Sequence, residues 1–166
     1  MADIKTAYGT ATTGTGGVSS LATSSTWVAG YEWFVIDNST SLALDFQIQG
    51  QITVGTTPTA NTEIRIYVVA SYDGTTWPDV FDGTPSAETL TSVGVGSGFL
   101  KGPHVLFVDA NTSNRAYPFF FQLSDYVGRT MPKKAVLFVT HNTGVNLNST
   151  DGNHTYAALP VYATST

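Results

Sequence analysis

The stretch SLALDFQIQGQITV (41–54) restricts the fold more than any other. Leu42, Leu44, Phe46, Ile48, Ile52 and Val54 fall on one parity, and Asp45, Gln47, Gln49, Gln51 and Thr53 on the other. A period of two puts one apolar and one wet face on an extended strand, whereas helical apolar positions recur every three to four residues. Gly50 is in phase with the apolar set and predicts a bend or bulge. IRIYVVASYDG (64–74) alternates in the same way, with Ile64, Ile66, Val68 and Ala70 on one face, until Asp73-Gly74 turns the chain. These two long strands are expected to be antiparallel neighbours.

YEWFVIDN (31–38) is apolar and aromatic on both parities, which suits a strand buried on both faces or crossing a sheet junction. HVLFVDA (104–110), YPFFFQL (117–123), KAVLFVTHN (134–142) and TYAALPVYATS (155–165) read as further strands, with 134–142 central and Pro118 placing its strand at an edge or sheet entry. Between 75 and 103 lies a loop rich in Pro and Gly, with a short edge strand near 87–95, and 124–133 reads as one helical turn or a wide loop. No segment longer than ten residues shows a helical period. The expected fold is all-β, an antiparallel β-sandwich of the jelly-roll or immunoglobulin-like kind, with 27–166 as one domain.

Composition agrees and narrows the function. Charged residues are 11% of the chain against about 25% in an ordinary domain, and Thr is about one residue in six, which favours strands. The absence of cysteine excludes disulfides, thiolate metal sites and cysteine nucleophiles. A net charge of −5, with Lys133-Lys134 the one adjacent basic pair, leaves no footprint for nucleic acid. No apolar run approaches the roughly 18 residues of a membrane span and no signal-peptide pattern leads the chain, so a protein made in a cytoplasm with no membrane partner is expected. The Asn-X-Ser/Thr matches at Asn38, Asn111, Asn148 and Asn153 are what a Thr-rich chain produces by chance.

The first 26 residues, MADIKTAYGTATTGTGGVSSLATSST, have almost nothing to bury and read as an extended arm that needs contacts from outside to become ordered. The larger side chains of this region, Ile4, Tyr8, Val18, Leu21 and the following Trp27, are its candidate contacts.

Catalytic chemistry is not legible. His104, His141 and His154 lack the carboxylate spacing of a metal site and read as polar residues at strand edges. Asp79 and Asp82 read as solvated loop acids, because Val80 and Phe81 stand where a calcium loop needs oxygen ligands. GTGG (14–17) has neither the preceding strand nor the following Lys-Ser/Thr of a phosphate loop. Tyr72, Trp77 and Phe81 offer either a packed cap over the end of the sandwich or an exposed platform of the kind that stacks on sugar rings. No cofactor or metal is implied.

TEIRIYVVASYDGTTWPDVFDG, following LALDFQIQGQITVGTTPTANT, resembles small virion proteins of tailed bacteriophages, and PKKAVLFVTHNTGVNLNST resembles their last core strand and its Asn-Thr-Gly turn. The likeness spans roughly residues 40–160 and carries no catalytic motif. It implies a non-enzymatic capsid decoration (cement) protein on the virion surface. Its partners would be the major capsid protein and further copies of itself, a trimer being one such arrangement, with the arm and the 75–103 loop as contact elements. The alternative is a tail- or fibre-associated receptor- or carbohydrate-binding module using Tyr72, Trp77 and Phe81.

Overall fold

A computed structural model describes residues 3–91, 102–128 and 130–165. They form β1 (Ile4–Tyr8), β2 (Thr12–Thr15), β3 (Ala29–Asp37), β4 (Asp45–Thr53), β5 (Thr62–Ser71), β6 (Ser86–Thr89), β7 (His104–Val108), β8 (Ala116–Gln122), α1 (Ser124–Val127), β9 (Lys134–His141) and β10 (Thr155–Ser165). One antiparallel sheet runs β1-β10-β4-β8, with β2 also paired to β10, and the other runs β6-β3-β9-β5-β7. When β1 and β2 are counted as a single first strand and the short β6 is set aside, the chain order within the two sheets becomes 1-8-3-6 and 2-7-4-5. That connectivity is a jelly roll, the first of the two sandwiches the sequence allowed.

The sheets meet through their apolar faces. Phe46, Ile48 and Ile52 of β4 share one core with Ile64 and Ile66 of β5 and with Leu137 and Val139 of β9. The strands β4 and β5 therefore lie in opposite sheets, which corrects the expectation that they pair side by side. Alternation shows which face of a strand is buried and leaves open whether its sequence neighbour lies beside it or across the core. Leu42 and Leu44 also depart from the expected pattern, being 74% and 62% exposed. Buried Asn38 grips Ala43, accepting from its N–H at 2.7 Å and donating to its carbonyl at 3.1 Å, so the chain turns there and the strand begins only at Asp45.

A bulge in β3 between Glu32 and Val35 turns Trp33 and Phe34 both into the core, which explains an apolar run on both parities. The strand β9 is central between β3 and β5, as expected. Its outer side chains Val136 and Phe138 lie in a second, smaller core with Tyr67, Val69, Phe81 and Leu90. The segment 77–90 thus covers the outer face of this sheet. The expected edge strand is β6 on β3, and its predicted continuation to 95 lies outside the described residues beyond 91.

The N-terminal region is held by its own chain, and this corrects the expectation that neighbouring chains supply its hydrogen bonds. The strand β1 pairs with β10 from Ile4↔Ser165 to Tyr8↔Val161, and β2 pairs with the same strand from Thr15↔Thr155 to Thr12↔Ala158. Val18 is fully buried in the main core. The indole N–H of Trp33 donates to the Gly16 carbonyl at 2.6 Å, and the Gly16 N–H donates to the backbone at Asp151 and His154. Composition missed this because the region contributes backbone pairing and one valine rather than a stripe of apolar side chains.

Candidate functional site

The first sheet has an outer face with an unusual chemical makeup. Outward positions follow from the pairing register: Thr13, Ala157, Gln49 and Phe120 form one row across four strands, and Thr15, Thr155, Gln51 and Pro118 form the next. Towards the other end of β10 the face continues through Leu159 beside Gln47, then Val161 beside Tyr8. Asp45 is its one charged strand side chain among the described residues, and its carboxylate is occupied by the Phe46 and Ser124 N–H groups and the Ser124 hydroxyl. The polar members are otherwise amides and hydroxyls. The apolar ones include three of the most exposed large side chains of the molecule, Ile4 (80%), Tyr8 (59%) and Phe120 (56%). Between β2 and β8 this face is dished into a trough of about 560 Å³.

The nominated residues of the N-terminal region divide into two groups. Ile4 and Tyr8 project from the edge strand β1 and are free to meet a partner. Val18 is inside the core, and its burial removes it as a contact. Leu21 packs against that core and its carbonyl faces His141 Nε2 at 3.0 Å. Trp27, at φ 63°, lies under the Arg65 guanidinium, 3.6 Å from ring centroid to Cζ. Such a stack screens one ring face and suits a structural rather than a recognition role.

The proposed aromatic platform is not assembled as one surface. Phe81 is buried against Phe138 with ring centroids 5.3 Å apart, and Trp77 is half-buried against the same cluster. Tyr72 is 56% exposed and donates its hydroxyl proton to the Val127 carbonyl at 2.7 Å. Phe81 and Trp77 are packed, though over the outer face of the second sheet and not over the end of the sandwich, and Phe81 has no face to offer a sugar. Asp79 closes the same loop by accepting from the Thr91 hydroxyl and N–H, while Asp82 accepts from the Thr84 N–H. Of the nominated 75–103 loop, 92–101 lies outside the described residues.

Two histidines are deeper than their expected edge positions. His141 and His154 are both fully buried. Each Nε2 faces a backbone carbonyl that can only accept, Leu21 for His141 and Asn148 for His154, so each Nε2 carries the proton. His154 Nδ1 is then an acceptor facing the Thr53 N–H at 3.4 Å, and His141 Nδ1 lies 2.9 Å from the Thr143 hydroxyl, which also reaches the Val145 carbonyl at 3.0 Å. Burial pushes the His141 pKa down to about 4 and lowers that of His154. These neutral rings fasten loops to the sheets. Among the described residues no group of three or more His, Cys, Asp or Glu is placed to hold a metal ion.

Sequence reasoning passed over Glu32. It is fully buried on the outer side of β3, in the same cross-strand row as Phe138 and Tyr67. Its Oε2 accepts weakly from the Asp82 N–H at 3.4 Å, while its Oε1 and the Tyr67 hydroxyl meet no hydrogen-bond partner among the described residues. Burial raises its pKa to about 7. The signal was an acid flanked by aromatic residues in YEWFVIDN, which a bulge and a covering loop then enclose.

Comparison of the chain with protein-family models, with characterised proteins and with solved structures finds no match.

Proposed function

We propose that this protein is a non-enzymatic virion component of a tailed bacteriophage, binding the assembled capsid from outside as a decoration protein. The observation that carries the reading is the nearly uncharged outer face of the first sheet, ending in an edge strand with Ile4 and Tyr8 exposed. Burying such a face against a capsid protein costs little charge desolvation, and β1, with no strand on its outer side among the described residues, offers that side to a neighbour's sheet edge. Many copies on one shell convert a modest contact into firm attachment. The jelly roll, a fold of capsid and lectin domains, agrees by analogy only. The partners under this reading are the major capsid protein and neighbouring copies of the same chain.

The test is co-sedimentation of the purified chain with undecorated capsid shells of its source particle. Saturable binding is expected, weakened at least about tenfold, roughly 1.4 kcal/mol, by Ile4→Asp combined with Tyr8→Asp. Both side chains are exposed, so this variant keeps its fold. An intact chain that fails to sediment with shells overturns the reading. Deletion of residues 1–26 is unsuitable, because it would remove β1, β2 and buried Val18 together.

A further inference from the structure

The trough between β2 and β8 lies away from the β1 end of the face and has a chemistry of its own. Gln49 and Gln51 of β4 with Thr155 and Ala157 of β10 line it between Thr13 and Thr15 on one side and Pro118 and Phe120 on the other. Its volume of about 560 Å³ falls within the roughly 300–1,000 Å³ of small-molecule sites. None of the lining residues carries a charge.

The polar groups are unspent. On this face Asp45 and Thr53 engage their side chains internally, whereas Gln49, Gln51, Thr13, Thr15 and Thr155 make no side-chain hydrogen bond to any of the described residues. Two amides and three hydroxyls present donors and acceptors side by side, so they can satisfy a ligand rich in groups that both donate and accept. An anion would find no cation here, and a cation no carboxylate. The exposed ring of Phe120 adds a flat apolar wall next to that polar floor. A pyranose has this same division, with hydroxyls around its rim and C–H bonds on its face.

We propose that the trough binds a neutral oligosaccharide, one sugar face lying on Phe120 and its hydroxyls bonding to Gln49, Gln51 and the threonines. The site differs from the loop platform around Trp77 and shares the outer face with the proposed capsid contact, at the end away from Ile4 and Tyr8.

The experiment is a titration of the isotope-labelled full chain, followed by amide chemical shifts, with four neutral hexasaccharides (maltohexaose, cellohexaose, chitohexaose and mannohexaose) and with a sulfated heparin hexasaccharide. Saturable shifts are expected with at least one neutral sugar, at sugar concentrations up to about 10 mM, and confined to residues lining the trough. Phe120→Ala and Gln49→Ala should each weaken binding at least about tenfold while leaving amide shifts of the opposite sheet unchanged. Sugar binding and shell sedimentation are read separately on the unsubstituted chain, so loss of one with the other retained separates a failure here from a failure of capsid attachment. Saturation with none of the neutral sugars, saturation with heparin alone, or shifts mapping to Tyr72 and Trp77 would each overturn the proposal.

Discussion

Two buried ionisable side chains pull the stability of this protein in opposite directions as pH changes. Glu32 has its pKa raised by burial from 4.5 to about 7, so between those values the folded chain holds a proton that the unfolded chain has released. Its contribution is complete below pH 4.5 and is lost as pH rises through 7. Glu32→Gln keeps the shape without the charge and should raise stability at pH 8 by on the order of 2 kcal/mol, with little change at pH 4.5. Thermal unfolding at the two pH values checks this, and an unchanged midpoint at pH 8 would mean the carboxylate is better solvated than its burial implies. His141 is depressed from 6.5 to about 4, so the unfolded chain binds the proton first and stability falls as pH drops from 6.5 towards 4, by up to roughly 3 kcal/mol. His141→Gln should lower stability at pH 7 and flatten that acid slope in denaturant titrations. Because the two windows overlap between pH 4.5 and 6.5, these two contributions oppose each other there, and the single variants separate them.

At the scale of strands, the first sheet depends on close backbone approach as much as on side-chain packing. Gly50 pairs with Tyr156 on one side and Phe119 on the other, and a Cβ there would stand 2.1 Å from the Thr155 carbonyl oxygen and 2.7 Å from the Phe119 ring. The strands must shift to admit it, so Gly50→Ala should cost about 3 kcal/mol, read as a lowered unfolding midpoint. The bend or bulge expected at Gly50 does not occur, since the register runs through it unbroken on both sides. The glycine serves the aromatic rings beside it instead. Val18→Ala offers a matching test of the N-terminal region: if it belongs to the core, the loss is roughly 2 kcal/mol from buried methyl groups and the space they leave. A flexible arm would lose nothing.

For the molecule as a whole, the scarcity of charge on the first sheet's outer face has a consequence in solution. Attachment through amides, hydroxyls and apolar side chains should change little between about 0.05 and 0.5 M salt, because screening acts on charges. Shell sedimentation across that range measures it, and a steep salt dependence would move the contact to another surface. Much of this architecture was legible in the chain. Alternation over 41–54 and 64–74, the apolar run at 134–142 and the lack of a helical period were enough for an all-β sandwich with a central β9, because the side-chain period of a strand is local geometry. Local pattern also placed Pro118 on an edge strand. It could not say that β4 and β5 face each other across the core, that β10 anchors β1 and β2, or that the loop carrying Phe81 encloses Glu32. Nor could it gather Gln49, Phe120, Thr13 and Thr155, drawn from four strands, into one trough. Those relations depend on strand register and on which segment lies across which face, and only long-range pairing in the folded chain decides them.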